Sequence, residues 1–357
     1  MTWPPSRPTL ETAAVYRARV RGCLLGGAVG DALGYPVEFA SLDRIRSRFG
    51  ERGVTGLVPG DLGLTGLISD DTQMTLFTVE ALIPAHARER ERGIGGAWAQ
   101  MLRQAYERWL ETQSKPGPEQ GTPTGGLISE PWLYARRAPG NACLSGVAQG
   151  YSPDPMLKLD GKPGQVNPDS KGCGTVMRSA PFGLVNSADG AFAMAARGAQ
   201  ITHGHPTGYY AAGALAAIVS HLVAGVSLES AVVLTLRLLA RHPGHEETTA
   251  ALEGALELAA QGSPAAWKVE SLGAGWVAEQ ALAIGVYCAL AEWDVREALL
   301  LSVNHSGDSD STGSICGNLL GTLHGDVGLP HAWVEQVEGR ARIAALADDL
   351  AAEILHD

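Results

Sequence analysis

Cysteine is scarce in this sequence, and the cysteines present do not form the patterns that bind structural metals or build disulfide frameworks. Five occur among 357 residues, an odd number, and no two form a Cys-x-x-Cys pair. Neither a disulfide framework nor a thiolate zinc site is indicated, so a reducing, cytoplasmic location is expected. The first residues also lack the basic and apolar stretches of a secretory signal.

Charged residues are few, at 18%, and aromatic residues make up only 6%, whereas 45% of the chain is hydrophobic. This composition excludes a disordered, fibrous or coiled-coil protein. The net charge is −11 and no block of basic residues occurs, so stable binding to nucleic acid is not expected. The longest uncharged run, 206–228, contains a histidine and several glycines among its alanines, which favours a buried core helix over a membrane span.

Alternating strand patterns are also lacking, apart from a weak segment at 267–270. Helical periodicity or alanine-rich composition instead predicts an all-α fold with about ten helices. The predicted helices cover 13–29, 70–83, 95–110, 191–201, 208–223, 228–240, 246–260, 276–292, 295–303, 311–323 and 331–354. Two long segments rich in glycine, 52–69 and 112–169, are expected to be ordered loops. No linker or internal repeat is visible, which predicts a single domain.

Glycine recurs at every fourth position in the first helical segment, at Gly22, Gly26, Gly30 and Gly34. This spacing lines one helix face with hydrogens and allows a second helix to approach closely. A dinucleotide-binding loop is the alternative, but such a loop follows a hydrophobic strand, and charged helical residues precede this one. Asp31, beside the stripe, needs a polar partner because burying a carboxylate is costly.

Two pairs of acidic residues each come directly before an apolar helix. Ser69 is a favourable N-cap, which places Asp70 and Asp71 in the first turn of the following helix. Asp308 and Asp310 project in the same way into a later helix start. Independent helix capping is one interpretation, although like charges repel and capping explains one acid per helix better than two.

If the two helix starts meet in space, the four aspartates share one site, and such a site is tolerable only with cations between them. Ligation by oxygen alone selects Mg²⁺, Mn²⁺ or Ca²⁺ over zinc. An EF-hand is not indicated, because no glutamate follows Asp308 at the required distance. From the residues alone, a shared cation site and independent helix caps both stay open.

A third feature is the glycine loop around Gly172, Gly174 and Thr175. It resembles a backbone nest that presents N–H groups to a phosphate, with a tight turn as the alternative. His203 and His205 precede the long uncharged helix, either as ligand contacts or as helix-end residues bonded to backbone. The adjacent tyrosines that follow them either stack on a base or pack inside the helix.

Taken together and in this order, these segments resemble the ADP-ribosylglycohydrolase family, which includes dinitrogenase reductase-activating glycohydrolase and the vertebrate ADP-ribosylhydrolases. The resemblance runs from about residue 21 to 324 and is carried by 26–34 with Glu38, 69–72, 138–143, 171–178, 202–203 and 307–312. It implies a single compact, orthogonal, all-α domain over 1–357. Residues 1–12 would be an N-terminal extension and 331–357 a C-terminal helix.

The resemblance further implies two divalent cations, Mg²⁺ or Mn²⁺, and hydrolysis of the glycosidic bond that attaches ADP-ribose to a target. The matching cation ligands are Ser69, Asp70, Asp71, Asp308, Asp310 and Ser311. Threonine is frequent in the family where this chain has its two serines, but a serine hydroxyl offers the same donor oxygen. The matching substrate contacts are Gly172, Cys173, Gly174, Thr175, Met177 and His203.

Glu38 matches a glutamate near the substrate ribose and would assist the leaving group or guide the water, while Asp308 or Asp310 would accept the proton of that water. The expected target is an ADP-ribosylated protein, with arginine as the modified side chain. Serine-linked or base-linked ADP-ribose, or a non-catalytic ADP-ribose-binding module, are the alternatives. All four aspartates are present, which disfavours the last.

Overall fold

Helices and loops make up the whole of the described chain. The computed structural model describes residues 10–60, 63–93 and 95–356, and a single antiparallel bridge between Gly172 and Val277 is the only β-type pairing within these ranges. The α-helices are α1 (Leu10–Gly34), α2 (Leu42–Phe49), α3 (Asp70–Arg92), α4 (Trp98–Thr112), α5 (Asn141–Ala148), α6 (Ala180–Val185), α7 (Ala188–Ala199), α8 (Pro206–Val223), α9 (Leu228–Leu239), α10 (Glu246–Ala260), α11 (Ala266–Ser271), α12 (Ala278–Ala291), α13 (Val295–Val303), α14 (Ser309–His324), α15 (His331–Val334) and α16 (Arg340–Leu355). The predicted all-α class is confirmed.

The antiparallel pair α1 and α14 forms the centre of the fold, and glycine lines its contact surface. The facing pairs are Gly22 with Gly321, Gly26 with Gly317, Gly30 with Gly313, and Gly34 with Ser309. A Cβ atom on Gly30 would lie 1.9 Å from the carbonyl oxygen of Gly313, so no larger residue fits without moving a helix. The predicted close packing is therefore confirmed. Because the pair is antiparallel, the end of α1 lies beside the start of α14.

Further helices bury this central pair. α12, α13 and α8 pack against α14, while α16 and α3 pack against α1. Nearly every side chain of α8 is buried, which confirms the core helix predicted from the uncharged run. Among the described residues, no helix is both long and apolar enough to cross a membrane.

Helix α3 extends beyond the predicted end at Ile83 and contains Pro84 in its interior. The helix continues to Arg92 and closes on Gly93, which has a left-handed backbone with φ of 63°. Contacts with α16 stabilise the extra turns, because Arg90 and His86 both bind the carboxylate of Glu353. Tertiary contacts thus outweigh the backbone hydrogen bond that proline removes.

Two segments expected to lack helix are helical. The weak strand expected at 267–270 lies in α11, where the buried Lys268 ammonium donates to the Gly262 carbonyl at 2.7 Å and binds the end of α10. The loop expected at 112–169 contains α5, which buries Cys143 and Val147. With these and other short helices, the described residues contain sixteen α-helices, more than the ten expected.

The ends of the chain also differ from the sequence-based prediction. The C-terminal helix expected over 331–357 is two helices, α15 and α16, because Gly339 adopts φ of 69° between them. At the other end, α1 begins at Leu10, inside the expected extension 1–12, while residues 1–9 and 357 lie outside the described ranges. The single-domain organisation stays a prediction.

Candidate active site

The first acidic element is the start of α3. Ser69 caps the helix through a hydrogen bond from the Asp71 amide at 3.2 Å, as predicted, and Asp70 and Asp71 occupy the first turn. All three side chains are buried. Local sequence thus fixes the two acids to a helix N-terminus, where the backbone dipole favours negative charge.

Asp31 from α1 holds this helix start in place. Its carboxylate accepts hydrogen bonds from the Ser69 amide at 3.0 Å, the Thr72 amide at 3.1 Å and the Thr72 hydroxyl at 2.5 Å. These are the polar partners that its burial requires. Sequence analysis noted that Asp31 needs a partner but assigned it no role. The structure identifies it as a positioning residue for the element that contains Asp70 and Asp71.

The second acidic element is the start of α14. The Asp308 amide donates to the Ala274 carbonyl at 2.8 Å, and the Ser311 amide donates to Asp310 Oδ1 at 3.0 Å. Both aspartates and Ser311 are buried. The close contact between Gly34 and Ser309 brings this helix start against the end of α1.

Glu38, four residues beyond α1, completes the arrangement. Oxygen atoms from Glu38, Asp308 and Asp310 all lie within 4.8 Å of one another. Asp70 and Asp71 lie close enough to interact with Asp310 electrostatically. The two helix starts therefore meet in space, which was one of the two possibilities that the sequence left open.

Burial and mutual repulsion make these carboxyl groups hard to ionise. Burial, together with Asp310, Asp308 and Asp70, raises the pKa of the Glu38 carboxyl to about 11. Burial and Asp310 also hold the pKa values of Asp70, Asp71 and Asp308 well above the usual range of aspartate. A cluster of this kind needs protons or cations to be stable.

Unpartnered oxygen atoms show that the cluster fits a divalent cation. Glu38 Oε2 and Asp71 Oδ1 are buried and have no hydrogen-bond partner. The side chains available there are carboxylates and hydroxyls, the donor set that Mg²⁺ and Mn²⁺ prefer. The acidic cluster could thus hold a metal ion.

The glycine loop lies next to the acidic cluster. Cys173–Thr175 forms a 3₁₀-helix, and the Cys173 thiol donates to Asp308 Oδ2 at 2.8 Å. The Cys173 amide is bonded to the Trp276 carbonyl at 3.2 Å, and the Thr175 hydroxyl to the Gly208 carbonyl at 2.9 Å. Thr175 and Met177 are buried, so their side chains support the loop from within the core.

His203 packs behind this loop. Its ring is in close contact with the loop, since a Cβ atom on Gly172 would lie 3.1 Å from His203 Nε2. Nδ1 lies 2.7 Å from the Thr202 hydroxyl, and burial together with the nearby Arg178 lowers the pKa of His203 to about 3. His203 is therefore neutral at physiological pH. His205 accepts a hydrogen bond from the Thr207 amide and acts as the N-cap of α8.

Arg178 is a buried residue to which sequence analysis gave no role. Its guanidinium donates to the Thr202 hydroxyl at 2.6 Å and lies 4.6 Å from the ring centroid of Tyr106. It therefore connects the glycine loop to the segment that carries His203. The tyrosine pair Tyr209 and Tyr210 is buried and bonded to backbone carbonyls, which fits helix packing and not the stacking of a base.

Fold and site together define a class of protein: an all-helical protein in which two helix N-termini and the end of a third helix share one buried carboxylate cluster. The sequence profile of the family described as ADP-ribosylglycohydrolase matches residues 12–357. The chain therefore belongs to the ADP-ribosylglycohydrolase family and is a hydrolase.

Curated relatives agree with this assignment. The chain is 26% identical to ADP-ribosyl-[dinitrogen reductase] glycohydrolase of Rhodospirillum rubrum, over 90% of each protein. It is 22% identical to ADP-ribosylarginine hydrolase Tri1 of Serratia proteamaculans, over 98% of this chain and 83% of the relative. A solved structure titled ADP-ribosylglycohydrolase-related protein complex has a TM-score of 0.65 and 22% identity, covering 95% of this chain and 99% of its own, which supports the fold.

Proposed function

We propose that this hydrolase depends on a divalent cation and removes ADP-ribose from modified arginine side chains of proteins. The observation that carries the proposal is the buried carboxylate cluster with unpartnered oxygen atoms at Glu38 and Asp71. Two relatives, an ADP-ribosyl-[dinitrogen reductase] glycohydrolase and an ADP-ribosylarginine hydrolase, favour a protein target and arginine. A cytoplasmic location belongs to the same proposal.

The two helix starts would hold two cations, Mg²⁺ or Mn²⁺. The proposed ligands are Ser69, Asp70 and Asp71 from α3 and Asp308, Asp310 and Ser311 from α14. When bound, such cations orient a ribose diol and lower the pKa of a nearby water. Asp31 keeps the α3 ligands in position through its hydrogen bonds to Ser69 and Thr72.

Proton transfer would be carried out by the carboxylates of the cluster. As the oxygen of a water molecule bonds to the anomeric carbon, Asp308 or Asp310 accepts the proton that the water loses. The bond between that carbon and the guanidine nitrogen breaks, and the nitrogen takes up a proton. Glu38 is placed to hold that proton, since burial, together with Asp310, Asp308 and Asp70, raises the pKa of its carboxyl to about 11.

The glycine loop would bind the diphosphate of ADP-ribose. The proposed contacts are Gly172, Cys173, Gly174 and Thr175, with Met177 and His203 beneath them. Gly172 and Gly174 let the loop backbone pack closely on His203 and Cys143, since a Cβ atom on Gly174 would lie 2.5 Å from Cys143 Sγ. His203 is neutral and adds no positive charge, so recognition here depends on backbone dipoles.

The experiment that tests this proposal measures free ADP-ribose released from an arginine-ADP-ribosylated protein. The reaction is run with Mg²⁺, with Mn²⁺ and with excess chelator, alongside serine-linked and DNA-linked substrates. We expect release from the arginine-linked substrate only when a cation is present. Release from another substrate alone would identify a different linkage, and cation-dependent ADP-ribose binding without any release would indicate a binding module.

Two variants control for the site. Asp310→Ala should abolish release while the helical circular dichroism stays unchanged, because it removes a carboxylate shared by the whole cluster. Asp43→Ala changes an exposed aspartate outside the site and should keep full activity. Full activity of Asp310→Ala would rule out the assigned cation centre.

A further inference from the structure

Two exposed aromatic rings lie stacked beside the acidic cluster, and the proposed reaction uses neither. The ring centroids of Phe39 and Trp276 are 5.1 Å apart, and the ring planes differ by 21°. Phe39 is 70% exposed and Trp276 is 40% exposed. Large apolar rings usually avoid water, so an exposed stacked pair at the edge of a site indicates a ligand contact.

The backbone at Phe39 is held in an uncommon conformation. Phe39 has φ of 65°, a left-handed conformation that side chains other than glycine and asparagine rarely adopt. The hydrogen bonds from Glu38 to Gly34 and from Ala40 to Val37 fix the turn around it. This turn directs the Glu38 carboxylate toward the cluster while the neighbouring phenyl ring stays in solvent.

Trp276 lies on a segment whose backbone is hydrogen-bonded both to the start of α14 and to the glycine loop. The Ala274 carbonyl accepts the Asp308 amide, and the Trp276 carbonyl accepts the Cys173 amide at 3.2 Å. Between them, Gly275 has φ of 81°, and a Cβ there would lie 3.3 Å from Asp308 Cβ. The backbone at Trp276 is therefore held between the start of α14 and the glycine loop, and its indole stacks on Phe39.

This position is beside the bond that is cleaved. The reacting carbon must lie at the carboxylates that move protons, whereas the adenine of ADP-ribose is separated from that carbon by a ribose and a diphosphate. Phe39 follows Glu38 in the chain and its ring stacks on Trp276, whose segment is hydrogen-bonded to Asp308 through the Ala274 carbonyl, so the ring pair lies at the rim of the carboxylate cluster. A group at this rim contacts the part of the substrate that leaves.

We propose that Phe39 and Trp276 form a recognition site for the planar, cationic guanidinium group from which ADP-ribose is removed, an inference that rests on the proposed function. Aromatic faces attract cations, and guanidinium groups also stack on them. A neutral serine hydroxyl has neither property, so the pair selects arginine as the target.

The test compares Phe39→Ala and Trp276→Ala with the wild-type enzyme. We expect kcat/KM on an arginine-ADP-ribosylated peptide to fall about five- to thirtyfold, mainly through KM, which corresponds to the loss of a cation–π contact. Binding of free ADP-ribose, measured by calorimetry, and any turnover of a serine-linked peptide should stay within about twofold. Trp276→Phe should restore most of the activity, because it keeps an aromatic face.

Trp293→Ala is the matched control, since Trp293 is 96% exposed and is placed in no site. Unchanged kcat/KM in both aromatic variants would overturn the inference. If the variants weaken the binding of free ADP-ribose as much as they lower kcat/KM, the inference is overturned as well, because the rings would then contact the adenosine part of the substrate. If the wild-type enzyme itself releases nothing from the arginine-linked peptide, the proposed function fails first, which distinguishes the two outcomes.

Discussion

Single residues in this protein have roles that their type alone does not reveal. Asp31 and Asp71 are both buried aspartates, yet Asp31 is saturated with hydrogen bonds while Asp71 Oδ1 has none. A saturated carboxylate holds structure, whereas one without partners is available to a ligand. The same chemical group thus holds a helix start in one case and is available to a cation in the other.

Asp31→Asn tests the positioning role. Asparagine keeps the shape but loses the charge, and one of its terminal atoms becomes a donor that faces the Ser69 and Thr72 amides. We expect Mn²⁺ affinity, measured by calorimetry, to fall about 10- to 100-fold, as for other residues that orient metal ligands. Asp43→Asn should leave the affinity unchanged, and wild-type affinity in Asp31→Asn would contradict the assigned role.

His203 predicts a pH dependence of stability. Its pKa is about 3 in the folded protein, below the ordinary value of about 6.5, so the unfolded chain binds a proton more readily. Its contribution to stability is therefore complete above about pH 6.5 and decreases as the pH falls toward 3, by at most about 1.4 kcal/mol per pH unit. Denaturant unfolding of His203→Gln should show a weaker pH dependence than the wild type between these values.

The exposed His331 provides the control for that experiment, since its side chain is 83% exposed. His331→Gln should unfold with the same pH dependence as the wild type. If the free energy of unfolding has the same pH dependence in His203→Gln as in His331→Gln, His203 does not contribute to stability as described.

At the scale of elements, the packing of α1 on α14 determines where the site forms. The two helices approach so closely that carbonyl oxygens of one occupy the space of side chains on the other. This contact sets the distance between Glu38, beyond the end of α1, and the aspartates at the start of α14. Changes to the glycine stripe should therefore affect stability and the site together.

Gly30→Ala tests this packing. The added methyl group would lie 1.9 Å from the Gly313 carbonyl oxygen, so we expect a loss of about 3 kcal/mol or more in the free energy of unfolding. Gly254→Ala in α10 is the matched control, because its nearest neighbour is a leucine methyl at 3.6 Å. Alanine there should stabilise the protein by about 0.5–1 kcal/mol through its higher helix propensity. Equal effects of the two substitutions would contradict the role of the stripe.

At the scale of the whole molecule, the acidic cluster opposes folding unless its charge is neutralised. Asp70, Asp71, Asp308 and Glu38 come from three distant parts of the chain and are brought together only in the folded state. A cation that binds this state and not the unfolded chain stabilises it by mass action.

Mn²⁺ or Mg²⁺ at about 100 times its dissociation constant should therefore stabilise the fold by about 2.7 kcal/mol and raise the melting temperature by several degrees. The measurement is a thermal unfolding curve with and without the cation, with chelator as a reference. Asp71→Asn should reduce this increase, and Asp43→Asn should not. No increase for the wild-type protein would argue against a cation at this cluster.

Features that depend on neighbouring residues can be predicted from the sequence, whereas those set by contacts between distant residues cannot. The glycine spacing predicted the close helix contact, and the Ser69 cap predicted the start of α3, because both depend on neighbouring residues. The predicted end of α3 at Ile83 and the weak strand at Trp267 were wrong, because contacts with α16 and α10 determine the conformation of these segments. The functional assignment of the site residues remains a proposal.

The sequence by itself determined the helical class, the glycine stripe that lets a second helix pack closely on α1, and the two acidic helix starts, since propensity, periodicity and capping act over a few residues. Only the tertiary structure decided that these helix starts meet, that Asp31 holds one of them, and that Phe39 stacks on Trp276. Those contacts join residues far apart in the chain, and their distances follow from the packing of many helices at once.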